Sequence, residues 1–127
     1  MVHHSGFEQL VEHVRARVRE CSVQEVNARF ERAEPFHLLD VREDHEFAAG
    51  YAQGATHLGR GILERDIERL IPDKDAEIVL YCGGGYRSVL AAVSLMEMGY
   101  TQVASMAGGI KAWRQAGLPI EPGPDSS

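Results

Sequence analysis

Cysteine is scarce in this sequence: Cys21 and Cys82 are all it has, too few for the disulfide framework of a small secreted domain. Long apolar runs are missing as well. Ile78–Cys82 and Val89–Met98 are bounded by polar or glycine positions and fall short of the roughly 18 apolar residues that a membrane-spanning helix needs. The opening stretch Met1–Phe7 is polar and lacks the apolar centre of a signal peptide. There is no block of five like charges, and 19 acidic against 13 basic residues leave a formal charge of −6. That balance argues against nucleic acid or an anionic membrane as a partner. Together these absences predict a soluble protein of the cytoplasm.

Metal and nucleotide signatures are missing too. His45-Glu46 has no second histidine at the zinc-protease spacing, and His3, His4, His13, His37 and His57 form no ligand pattern. Gly83-x-Gly85 is followed by Ser88 where a dinucleotide fingerprint has its third glycine, and no Gly-Lys-Ser closes a phosphate loop. Neither a metal nor a cofactor is expected. What is present is an ordinary globular composition, 44% hydrophobic and 25% charged over 127 residues, enough for one domain with a single core.

The pattern along the chain predicts an α/β domain. Ser5 and Glu8 form a capping box ahead of Phe7, Leu10, Val11, Val14 and Val18, which predicts an amphipathic helix over about 6–20. A second box, Ser22 with Glu25, opens a short helix. Phe36–Val41 and Ile78–Cys82 are apolar without alternation, as strands covered on both faces of a parallel sheet are. Ala55–Leu58 and Val103–Met106 are shorter strand candidates. Helices are predicted over about 61–70, from Ser88 to Gly99, and over Ile110–Gln115. The organisation expected is a helical extension over 1–21, a domain over 22–120 and a flexible tail over 121–127. Its core would be a mainly parallel central sheet with helices on both faces.

In such sheets ligands bind beyond the carboxyl ends of strands, which singles out Asp40–Arg42 and Cys82–Arg87. Cys82 stands where a strand hands over to a helix. The amides of Gly83, Gly84, Gly85, Tyr86, Arg87 and Ser88 can curl toward its sulfur, and the helix amino end adds positive potential. Three glycines suit a loop whose backbone must approach a bound atom.

This loop resembles the active-site loop of the rhodanese family of sulfurtransferases, and three further motifs agree. Leu38-Leu39-Asp40-Val41-Arg42 followed by Glu46-Phe47 is similar to the family's first signature. Gly50-x-x-x-Gly54-Ala55 matches the turn into its second strand, with Tyr51-Ala52 where His-Ile is usual. Gly108-Gly109-Ile110-Lys111-Ala112-Trp113, followed by Leu118-Pro119-Ile120, resembles the closing motif. The resemblance implies transfer of sulfane sulfur from a donor such as thiosulfate or a persulfide, through a persulfide on Cys82, to a thiol, protein or cyanide-like acceptor. It also implies that Asp40 and Arg42 are structural and that Trp113 packs in the core. Arg87 either orients an anionic donor or pairs with an acid at the loop edge. For Ser88, capping the helix is preferred to bonding the sulfur, and Cys21 is expected to be a bystander.

Two rival classes share the fold. Cdc25-type phosphatases and some arsenate reductases use a loop of the form Cys-x5-Arg, wide enough for a tetrahedral oxyanion, whereas Cys82 to Arg87 is Cys-x4-Arg. Non-catalytic binding modules of this fold usually lose the cysteine, which this chain keeps. Glu43, Asp44 and Glu46 near the loop predict weak saturation by dianionic thiosulfate and a preference for a less charged persulfide. The N-terminal helix must lay its apolar face on the domain or on a second copy of the chain.

Overall fold

Five successive residues, Ile78 to Cys82, are all buried, and their side chains alternate between two apolar clusters. Ile78, Leu80 and Cys82 join one, and Val79 and Tyr81 the other. A strand with period two can do this only if both faces are covered. The structure, a computed structural model describing residues 5–124, supplies the cover from elements distributed along the whole sequence.

In chain order these are α1 (Ser5–Arg15), β1 (Arg19–Cys21), α2 (Val23–Glu31), β2 (His37–Asp40), α3 (Asp44–Ala48), β3 (Tyr51–Ala52) and β4 (Thr56–His57). A 3₁₀ turn over Arg60–Ile62 leads into α4 (Leu63–Leu70), followed by β5 (Glu77–Tyr81), α5 (Arg87–Glu97), β6 (Gln102–Met106), α6 (Gly109–Gln115) and β7 (Ile120–Glu121). Five strands form one parallel sheet in the order β1-β6-β5-β2-β4, with β5 in the centre. One face carries Val11 and Val14 of α1, Leu63 and Ile67 of α4, and Val89, Ala92 and Leu95 of α5. The other carries Val23 and Val26 of α2 with Ile110 and Trp113 of α6. This is the expected parallel sheet flanked by helices. Among the described residues, no helix is long and apolar enough to cross a membrane.

The sheet order creates a crevice. The strand after β2 in sequence within the sheet, β4, lies on one flank, and the strand after β5, β6, lies on the other. The chain therefore leaves the carboxyl ends of adjacent β2 and β5 in opposite directions and opens a gap above them. Both candidate segments end there.

Two local expectations are corrected. The helix predicted over 6–20 stops at Arg15, and Arg19–Cys21 instead pairs in parallel with Ala104–Met106 as an edge strand. Helical spacing placed Val18 correctly in the core, but the unpaired edge of β6 offers that segment a backbone ladder that periodicity cannot reveal. Glu121, placed in the tail by the sequence reading, belongs to a strand. Ile120 and Glu121 pair antiparallel with Ala52 and Tyr51, while 125–127 lie outside the described residues.

The helix α1 turns its apolar face onto its own domain, with Val11 fully buried and Leu10 half exposed. Val11→Ala is therefore expected to lower unfolding stability by about 1–3 kcal/mol. Leu10→Ala should change it by no more than about 0.5 kcal/mol. Urea denaturation of the two variants separates a packed helix from an idle one, since equal effects would mean α1 is not docked.

Candidate active site

Cys82 directly follows the central strand, and its side chain is buried at the floor of a cleft of about 750 Å3. Its sulfur is the focus of a small set of donors. Gly85 N–H approaches Sγ at 3.2 Å and Ser88 N–H, in the first turn of α5, at 3.4 Å. The Cys82 thiol reaches Ser88 Oγ at 3.5 Å, and that hydroxyl pairs with Ser105 Oγ at 2.8 Å. Amides converging on one atom hold negative charge there, and the amino end of α5 adds to the same potential. Ser88 is not the helix cap expected of it: Tyr86 occupies the cap position, and the buried Ser88 hydroxyl faces the sulfur and β6.

The start of the loop is anchored from the side of α6. Ile110 N–H donates to Cys82 O at 2.9 Å and Lys111 N–H to Gly83 O at 3.1 Å, so α6 uses amides of its first turn to turn these oxygens away. The approach is close enough to require glycine. A Cβ on Gly109 would stand 2.3 Å from Cys82 O, and Gly109 has a positive φ of 56°. Gly85, at φ 99°, lies under Gly108 in the same contact. The glycine pair was visible in the sequence only as a motif; its function as the clamp on the cysteine loop was not.

Arg87 pairs with Glu46. Two guanidinium nitrogens donate to the two carboxylate oxygens at 2.8 and 3.0 Å, a bidentate geometry. Glu46 also accepts the N–H of Glu43 at 2.9 Å, within the first turn of α3. The bond from Arg87 is the main reason its carboxyl group is held down to about 2. Glu46 stays ionised above that range, so the pair persists at neutral pH and dissolves only as pH falls toward 2. Glu46, Arg87 and Lys111 are the charged groups lining the cleft among the described residues, and two of the three neutralise each other.

Asp40 and Arg42 are brought close to this loop but do not line the cleft. Both are buried, and the Arg42 guanidinium donates to the Asp40 carboxylate at 2.7–3.1 Å and to Gly50 O at 2.7 Å. Tyr81 O–H donates to Asp40 Oδ2 at 2.6 Å while its oxygen accepts from Ala52 N–H at 3.0 Å. Burial opposes the Arg42 charge, and Asp40 more than restores it. Burial, then the neighbouring carboxylate, push the Tyr81 hydroxyl far above its usual range. This network ties β2, β3 and β5 together beneath the crevice. Trp113 is in the core, its Nε1–H donating to Pro119 O at 2.7 Å.

The second cysteine is remote in a specific sense. Cys21 packs with the α2 and α6 cluster and Cys82 with the α1, α4 and α5 cluster, on opposite faces of the sheet. Burial, reinforced by Glu25, pushes the Cys21 thiol up to about 11, so it remains protonated at neutral pH. One cleft residue had no signal in the sequence beyond its place in a helix: Phe7 of α1 reaches the mouth beside Tyr86. Among the described residues no group of three or more His, Cys, Asp or Glu side chains is placed to hold a metal ion.

Comparison with known proteins converges on one family. Its profile, described as the Rhodanese-like domain, matches residues 22–116. A protein of Allochromatium vinosum named sulfurtransferase is 34% identical over 103 residues, 81% of this chain and 94% of that one. A thiosulfate sulfurtransferase of Vibrio cholerae is 34% identical over 85 residues, 67% of this chain and 78% of its own. Among solved structures, one from Rhodopseudomonas palustris, described as of unknown function and a possible tyrosine phosphatase, superposes with a TM-score of 0.84 at 29% identity, covering 95% and 98% of the two chains.

The clamp generates a paired prediction. Gly109→Ala should displace the cysteine loop, lowering the melting temperature and altering the alkylation rate of Cys82 by iodoacetamide. Gly84→Ala, where a Cβ meets nothing nearer than Tyr86 Cδ2 at 4.0 Å, should leave both near the wild-type values. Equal behaviour of the two variants would mean the loop is not held by α6.

Proposed function

We propose, for a chain that belongs to the rhodanese-like domain family, that Cys82 carries sulfane sulfur as a persulfide from a donor to a nucleophilic acceptor. The broader class, a rhodanese-type sulfurtransferase, rests on the curated relatives. The observation that carries the finer reading is the convergence of Gly85 N–H and Ser88 N–H on Cys82 Sγ at the floor of the cleft.

With thiosulfate as donor, the Cys82 thiolate attacks the outer sulfur. The new S–S bond to Sγ forms as the old S–S bond breaks, and sulfite leaves with the electron pair. In the second half-reaction a thiolate or cyanide attacks the outer sulfur of the persulfide, producing a new persulfide or thiocyanate and returning the Cys82 thiolate. Such double displacement predicts ping-pong kinetics. The amides of Gly85 and Ser88, which approach Sγ, support the negative charge of the thiolate at the start and the end of the cycle. Cys82→Ser should form no adduct and transfer no sulfur, because a hydroxyl cannot hold a sulfane sulfur. Mass spectrometry after exposure to thiosulfate should show one added sulfur on Cys82 in the wild type and in Cys21→Ala. A Cys21–Cys82 disulfide formed in every turnover would overturn the scheme.

A phosphatase reading has one specific support, the description of the R. palustris structure, and it is disfavoured by the loop. Four residues separate Cys82 from Arg87, and the Arg87 guanidinium is already engaged by Glu46. Hydrolysis of an aryl phosphate should be negligible beside sulfur transfer, and comparable rates would reverse the preference.

The donor follows from charge. Glu46 offsets the Arg87 cation, leaving loop amides and Lys111 to attract a dianion. Two charges about 4 Å apart interact by ~4 kcal/mol at a protein-surface dielectric, so much of the pull of Arg87 on thiosulfate is cancelled. The preferred donor is a persulfide of lower charge. Glu46→Gln should lower KM for thiosulfate by about five-fold, measured by steady-state kinetics; an unchanged KM would mean Arg87 takes no part in donor binding.

A further inference from the structure

The family match begins at residue 22, yet a wall of the cleft comes from upstream of it. Phe7, in the first turns of α1, lines the cleft together with Tyr86 and Ala112. Its ring lies 5.9 Å from that of Tyr86, centroid to centroid, tilted by 38°. The helix bearing it is anchored, because Val11 and Val14 are buried in the same cluster as Val89 and Ala92 of α5. A second contact fixes the same loop residue: the Arg15 guanidinium lies 5.7 Å over the Tyr86 ring and is itself held by Glu12 and Glu20 at 3.0 and 2.8 Å. The segment outside the matched region thus places an aromatic face on the route to Cys82.

We propose that α1 is part of the active site and that Phe7 selects an organic sulfur donor, a monoanion bearing an apolar group, over donors with a small substituent. This rests on the sulfur-transfer reading above and names the donor class for it. Charge and shape agree. Lys111 is the charged cleft residue left over once Glu46 and Arg87 are paired, matching one negative charge, and Phe7, Tyr86 and Ala112 offer apolar surface to the rest of the molecule. A thiosulfonate, R–SO2–S⁻, has this form. The Cys82 thiolate attacks its terminal sulfur; the bond from that sulfur to the sulfonyl sulfur breaks, and the sulfinate R–SO2⁻ departs with the electron pair. The terminal sulfur remains on Cys82 as a persulfide, and two negative charges stand on each side of the step. The group R, on the departing sulfinate, is the part that meets Phe7.

Benzenethiosulfonate and methanethiosulfonate carry the same reacting atoms and charge and differ only in R. With the full chain and cyanide as acceptor, thiocyanate formation yields kcat/KM for each donor. The benzene-to-methane ratio should fall about ten-fold in Phe7→Ala and be largely kept in Phe7→Leu, which retains the apolar surface. Comparing ratios between proteins cancels the intrinsic reactivity of the donors. A ratio in Phe7→Ala equal to the wild-type value would overturn the inference. A measurement without any variant stands beside it: benzenesulfinate should slow iodoacetamide alkylation of Cys82 at about a ten-fold lower concentration than methanesulfinate, and equal protection would also overturn it. No turnover of either donor by the wild type would defeat sulfur transfer itself, whereas turnover with a ratio independent of Phe7 defeats only the role of α1.

Discussion

Two backbone hydrogen bonds, from Ile110 and Lys111 to the carbonyls of Cys82 and Gly83, hold the start of the cysteine loop against α6. A peptide unit is a rigid dipole, so turning its oxygen outward turns its N–H the other way. Holding these oxygens at the first turn of α6 therefore also fixes the N–H groups of Gly83 and Gly84, and from that anchored start the chain goes on to place the N–H groups of Gly85 and Ser88 at Sγ. Gly109 is required by this contact, since any Cβ there would occupy the space of the Cys82 carbonyl. Neighbouring β6 supports the same corner through Ser105, whose hydroxyl holds that of Ser88. The surroundings of Sγ are therefore assembled by four elements that follow one another in the chain, β5, α5, β6 and α6.

Charged side chains do a different job around this cradle. Asp40, Arg42 and Tyr81 form a buried network whose members satisfy one another and the backbone of the β3 turn. Removing one partner from such a pair typically costs about 3–5 kcal/mol because the other charge is left buried and alone. The network keeps β2 and β5 in register beneath the crevice. Arg87 and Glu46 form a second, more exposed pair at its edge, and the consequence is electrical: the cation beside the cysteine is offset, and the N–H donors aimed at the sulfur are backbone amides. Fixed amides need no reorganisation when charge arrives on the sulfur, whereas a paired arginine would first have to leave its carboxylate.

Much of this was legible before any fold was known. Ile78–Cys82 had to be a strand covered on both faces, since it has neither the alternation of a half-exposed strand nor the length of a helix. Cys82 could be singled out because a cysteine at the carboxyl end of such a strand, followed by three glycines, stands where parallel sheets bind ligands. The capping box of Ser22 with Glu25 located the start of α2, and both of its hydrogen bonds are present. Arg19 and Glu20 were read into the first helix because Val18, just before them, continues the apolar spacing of α1, and pairing with β6 depends on residues more than eighty positions away. Ser88 was misassigned for a similar reason: an adjacent helix start made capping the obvious role, while its partner Ser105 is distant in sequence.

The class of fold, the candidate cysteine and the length of its loop could be read from the chain alone, because those follow from local periodicity, turn residues and spacing. The partners were settled by tertiary packing. It paired Arg87 with Glu46 across 41 positions, put Cys21 and Cys82 on opposite faces of the sheet, and carried Phe7 from the far end of the chain to the mouth of the cleft. Local sequence encodes which way a side chain points within its own element. Which residue it meets depends on strand order and on where crossover connections return the chain, and that is settled when all the elements bury their apolar faces together.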